Sequence, residues 1–142
     1  MSVVPINVFA ILAGGVVNMV IGFLWYSPAL FGKAWMKLSG ISMKDMEGAK
    51  KEMPKLYGTS FVLSLVTAFV LQHASVFAGA YLGTTGVALG LMTGFFNWLG
   101  FVMPVQATNW LFAKQPFKLF VLHTGYQLAA LLAMGVVLSV WS

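Results

Sequence analysis

The side chains with chemistry to offer sit in the least polar parts of this chain. Asn18, Asn97, Gln106, Asn109, His123 and Gln127 all interrupt stretches that hold no Asp, Glu, Lys or Arg. A polar group in such a stretch is costly unless it faces protein or enclosed water. An amide brings two donors and an acceptor oxygen, and a neutral imidazole brings one of each. Counting about 1.5 Å per residue, Asn18 lies about 20 Å and Asn97 about 16 Å from the same end of their segments. The two amides are expected to bond across a helix interface. Gln106, Thr108 and Asn109, with His123, Tyr126 and Gln127, make the densest polar group, and His123 and Gln127 share one helix face. With Asn18 they are the candidate lining of a ligand pocket open to the cytoplasm. Plain interhelical hydrogen bonding is the favoured alternative. Pro104 removes one backbone hydrogen bond nearby, which predicts a kink.

Most other chemistry is excluded. There is no cysteine, so thiol catalysis and thiolate metal sites fall away. His73 and His123 each lie about 9 Å inside opposite faces of a layer about 30 Å thick, too far apart to share a metal. Neither a metal nor a cofactor is expected. No acid–base pair, serine triad or phosphate loop is visible, so an enzyme is not expected. No carboxylate lies in an apolar segment, which disfavours a proton-coupled antiporter of the small multidrug type and leaves the two histidines as the only proton carriers. The formal charge is +5 without a single arginine. Lysines that flank apolar segments set topology more often than they bind nucleic acid, so no nucleic-acid partner is expected.

The elements that must position these residues follow from composition and charge placement. The chain has 142 residues, 60% hydrophobic and 8% charged, where a soluble domain carries about 25% charged residues. All eight lysines and all three acids fall within residues 33–55 or 114–118. The uncharged remainder is long enough for four membrane spans of about 20 residues or more. They are placed at about 5–27, 57–79, 86–111 and 117–140 in a single all-α transmembrane domain covering residues 1–142. The first span lacks a basic leader and is too long for a signal-peptide core, so it is expected to be retained. The positive-inside rule puts connections one and three in the cytoplasm and both termini outside. Trp25, Tyr26, Trp35, Tyr57 and Trp110 gather near the inner ends, and Tyr81 and Trp141 near the outer face, as interfacial aromatics do.

Ser42-Met43-Lys44-Asp45 reads as a capping box. Met43, Met46 and Met53 then recur at near-helical spacing, predicting an amphipathic cytoplasmic helix over about 43–53 on the inner membrane surface. Pro54 is expected to separate it from span two. Two segments resemble one another: Gly15-x-x-Asn18 leading to Leu30-Phe31-Gly32-Lys33, and Gly94-x-x-Asn97 leading to Leu111-Phe112-Ala113-Lys114. They suggest two helix pairs related by a parallel repeat. Gly86, Gly90 and Gly94 form small-xxx-small steps, as do Gly14, Asn18 and Gly22, for packing within the bundle or in a homo-oligomer.

The stretch Gly22-Phe23-Leu24-Trp25-Tyr26-Ser27-Pro28-Ala29-Leu30-Phe31-Gly32-Lys33-Ala34-Trp35 resembles the signature of domain of unknown function 1761, a family of small membrane proteins. Leu111-Phe112 to Leu119-Phe120 and His123-Thr124-Gly125-Tyr126 are similar to that family's second half. The resemblance implies a four-span membrane protein and brings no activity, cofactor or catalytic residue. Within the signature, Ser27-Pro28 is expected to end span one and Gly32 to allow a tight turn. Trp25, Tyr26, Lys33 and Trp35 are candidate headgroup contacts, with plain interfacial anchoring as the alternative. The leading expectation is a small, homo-oligomeric binding or transport protein for a small or amphipathic molecule, with its site between spans one, three and four and membrane lipid around it. A structural or accessory subunit of a larger membrane complex is the second reading, and a lipid-acting enzyme the third.

Overall fold

The computed structural model describes residues 5–141, and every regular element among them is helical. The order is α1 (Val8–Trp25), α2 (Gly32–Ser39), α3 (Met43–Gly48), a 3-10 turn (Lys50–Glu52) and α4 (Met53–Leu82). Then come α5 (Gly86–Asn97), a π-helical segment (Trp98–Val102), α6 (Met103–Ala113) and α7 (Phe117–Trp141). Four stretches are long and apolar enough to cross a membrane: α1, the run ending in α4, the run from α5 to α6, and α7. Such segments must be helical in hydrocarbon, because only a helix satisfies its own backbone groups there. This is compatible with a multi-pass membrane protein.

Local chemistry sets the helix ends. Ala10 N–H donates to Asn7 Oδ1 at 3.1 Å, which caps α1, and Asn7 Nδ2 donates to the Trp141 carbonyl at 2.9 Å. The first and last helices are thus tied at the charge-free end. α1 stops at Trp25, as Pro28 requires. The chain then folds back sharply enough for Gly32 N–H to reach the Ser27 carbonyl at 2.8 Å. A Cβ on Gly32 would lie 2.7 Å from the Ser27 carbonyl carbon, so only glycine fits. Sequence did not foretell α2, a helix where only a turn was expected. The capping box at Ser42 forms as expected, with Asp45 N–H on Ser42 Oγ at 3.1 Å and Ser42 N–H on Asp45 Oδ2 at 2.9 Å. The expected amphipathic helix over about 43–53 is shorter, because α3 ends at Gly48. Pro54 opens α4, where a missing N–H costs nothing.

α7 is the hub: it packs on α5, α1 and α4, and more lightly on α6 and α2. The α5–α7 contact is backbone on backbone. A Cβ on Gly90 would sit 2.5 Å from the Gly135 carbonyl oxygen, and one on Gly94 would sit 2.5 Å from the Leu131 carbonyl oxygen. The glycine face of span three is therefore consumed inside the bundle rather than offered to a second chain. Gly86, the third member of that stripe, has open space around it. Gly14 and Gly15 let α1 settle on Ala68 and Leu65 of α4. An apolar cluster lies between these helices: Ala10, Ala68, Leu71, Leu131, Met134 and Leu138.

Span three is not one helix. The N–H of Met103 reaches back five residues to the Trp98 carbonyl, and Pro104 stands just inside the helix that follows. Proline cannot donate to the ladder, so the turn before it widens. This is the disruption that Pro104 predicts, in the form of a π turn. Beyond it, α6 has no buried residue and packs only lightly on α7.

Candidate functional site

At the lysine-bearing end, α1, α4 and α7 draw apart around a cavity of about 470 Å³, with the α2–α3 connection across its top. Met19, Gly22, Phe23 and Tyr26 come from α1 and its end, Trp35 from α2, and Met46 from α3. Met53, Tyr57 and Ser60 come from α4, and His123 and Tyr126 from α7. Five of these side chains are benzenoid or indole rings and three are methionines. No charged side chain lines the cavity.

Two hydrogen-bonded groups stand behind and beside this wall. In the first, Tyr126 O–H donates to Asn18 Oδ1 at 2.6 Å, Asn18 Nδ2 donates to Ser64 Oγ, and Ser64 Oγ–H donates to the Ser60 carbonyl at 2.8 Å. Each hydrogen points the same way, and three helices are joined through one amide. In the second, Tyr26 Oη and His123 Nδ1 are 2.6 Å apart. If the phenol donates, imidazole Nε2–H is left as a free donor. If Nδ1–H donates, the phenol hydrogen is left. Either way, one donor is not consumed within the protein. The Tyr26 ring also meets those of Tyr126 at 5.5 Å and Trp35 at 5.8 Å, both edge to face. Phe23 and Tyr57, 5.1 Å apart, form the outward rim between α1 and α4, and each is about half exposed.

The candidate residues divide. Asn18, Tyr26, Trp35 and His123 come together here. Asn97 does not: it donates to the Thr93 carbonyl of its own helix at 2.8 Å and lines a separate cleft of about 280 Å³ against Val66 and Val70 of α4. The expected Asn18–Asn97 bond is absent because α1 packs on α4 and α7 while α5 is held by its glycines on the other side of α7. Gln106 and Asn109 ride on α6, away from the cavity, with Asn109 exposed. Gln127 is half-buried and lies outside the lining. Trp25 is half-buried against α7: its Nε1–H donates to the Leu122 carbonyl at 3.1 Å and its ring packs on Gly125. Trp98 makes the same kind of bond to the Thr124 carbonyl at 2.9 Å. Lys33 is exposed and outside the cavity.

Sequence reasoning missed the part that span two plays in the site. Ser60 and Ser64, one turn apart on an apolar helix, were the available signal for a polar face. It also missed the charge-free end, where Gln72, 1% exposed, reaches the Asn7 carbonyl at 3.4 Å and Ser75 bonds Ser139 at 2.7 Å. There, isolated polar residues from three helices meet only in the folded chain. Among the described residues no three His, Cys, Asp or Glu side chains cluster as metal ligands.

Residues 9–139 match the family model described as Protein of unknown function (DUF1761). No curated protein and no solved structure matches the chain.

Proposed function

Because the chain belongs to the DUF1761 family, whose description carries no activity, we propose a function from geometry: a small integral membrane protein that binds an amphipathic molecule at its lysine-bearing end. The site lies between spans one, two and four, rather than one, three and four, since the span-three amides lie elsewhere. The observation that carries this reading is the cavity itself. A wall of aromatic and thioether groups around a few polar atoms is the usual make-up of a small-molecule site. Its rim at Phe23 and Tyr57 faces outward between α1 and α4, which suits entry from the bilayer. Binding is favoured over a through-channel because the apolar core of Ala10, Ala68, Met134 and Leu138 fills the bundle beyond the Asn18 relay. We place the lysine-bearing end in the cytoplasm by the positive-inside rule.

The test is native mass spectrometry of the protein released from membranes in mild detergent. A co-purifying amphiphile is expected, and Met19→Trp, which fills the cavity, should abolish it. An adduct retained unchanged in that variant would overturn the reading. A second reading, assembly with another copy of the chain, is favoured by α6: Gln106 and Asn109 carry amides on a helix packed only lightly on α7. Exposed amides in a membrane gain by bonding a facing helix. Cross-linking through cysteines placed at positions 106 and 109 should trap a dimer, and exclusively monomeric product would remove that reading.

A further inference from the structure

Resting on the binding reading above, we infer the class of ligand: an uncharged amphiphile whose head is a planar ring bearing an acceptor oxygen, as in a benzoquinone or ring ketone, held by the Tyr26–His123 pair. Neither a lysine nor a carboxylate lines the cavity. An anionic head brought among Tyr26, Trp35 and Met46 would lose its water and find no cation in the lining, since the lysines of the connection are exposed and stand outside it. A cationic head would meet aromatic faces, which attract it. It would also approach beneath a connection that carries six lysines against three acids between residues 33 and 55. A neutral head avoids both costs.

The Tyr126 hydroxyl hydrogen is already given to Asn18 at 2.6 Å. Tyr26 and His123 share one hydrogen bond and keep one hydrogen in either tautomer, and the lining adds the hydroxyls of Ser60 and Tyr57 and the indole N–H of Trp35. A neutral head with an acceptor oxygen is the complement to such donors in a mostly apolar wall. The Tyr26 ring meets Trp35 and Tyr126 edge to face, and flat walls of this kind accept a flat ring in stacked or edge contact. The rim at Phe23 and Tyr57 leaves a way out for an alkyl or isoprenoid tail into the bilayer.

Four probes sharing one ten-carbon tail test the class in a fixed concentration of dodecyl maltoside: decyl-benzoquinone, decyl-cyclohexane, undecanoate and decyltrimethylammonium. Saturable binding of the quinone by equilibrium dialysis is expected to be the tightest. His123→Ala should weaken the quinone about tenfold, as loss of one buried hydrogen bond does, and leave decyl-cyclohexane unchanged. Tyr26→Phe provides the second variant and should also weaken the quinone selectively. The cyclohexane probe reports whether the cavity survives substitution, so a folding defect is not mistaken for lost recognition. If undecanoate or decyltrimethylammonium binds more tightly than the quinone, the class is wrong while the binding reading stands. Equal binding of quinone and cyclohexane, unmoved by either substitution, also overturns the class alone. If no probe binds saturably, both the class and the binding reading fall.

Discussion

Asn18 illustrates how much one polar side chain decides inside an apolar bundle. Its two ends are fixed by different helices: the acceptor oxygen by Tyr126 and the donor nitrogen by Ser64. A double-mutant cycle of Asn18→Ala and Tyr126→Phe should give a coupling of about 0.6–1.7 kcal/mol, the range for hydrogen bonds between membrane helices, read from unfolding in detergent. A coupling near zero would mean that the tyrosine bonds elsewhere. That Asn18 bonds across a helix interface was legible from its type and depth. Its partners were not, because an amide on one helix says nothing about which neighbour turns toward it. His123 was likewise recognisable as a polar residue in a span. Its pairing with Tyr26 depends on the fold-back at Gly32, which seats Trp35 against the Tyr26 ring.

At the scale of the helix, glycine placement separates supports from bystanders. Gly135 and Gly90 face each other so closely that a side chain on either meets the other's backbone, which cannot retreat as a flexible side chain would. Gly135→Val should destabilise the protein by at least about 1–3 kcal/mol through overpacking and lower its melting temperature in detergent. Gly58→Ala, with no atom near the added methyl, should be neutral or gain up to about 1 kcal/mol from helix propensity. Equal effects at the two sites would show that the helices are not in backbone contact. The small-residue stripe was visible in sequence, but whether it served this chain or another was not. The capping box was fully legible, because its partners are three residues apart. There, the Ser42 backbone N–H and hydroxyl hold the Asp45 carboxyl below its ordinary range. A carboxyl with a lowered folded pKa contributes stability that is present above the unfolded value and lost as pH falls through the folded one. Amide protection in α3 should therefore be level above pH ~4 and fade below it. Asp45→Asn should flatten that profile, whereas an unchanged acid response would exclude the cap as its source.

At the scale of the whole molecule, the four-span plan was the most legible feature, since continuous apolar length dictates it. The ends of the spans shifted by a few residues, and the π turn replaced a simple kink. The relative placement of the helices was not legible: α7 became the hub because its small residues admit α5 and its upper half receives Trp25 and Trp98. One end carries every lysine and the other carries Asn7, Gln72 and Ser75. Single cysteines at Ala49 and Gln115 should be modified by an impermeant maleimide from one face of sealed vesicles, and one at Thr84 from the opposite face. Labelling of positions 49 and 115 from different faces would contradict the bundle.

The confinement of formal charge to that one end has an electrical consequence. The potential across a bilayer falls over the hydrocarbon, and it does work only on charge that moves through that drop, about 2.3 kcal/mol per unit charge per 100 mV. Residues 56–113 and 119–142 hold no Lys, Arg, Asp or Glu to be moved. A tilt or spreading of these helices would thus carry no gating current from those side chains, and energising the membrane would leave such a motion with almost nothing to pull on.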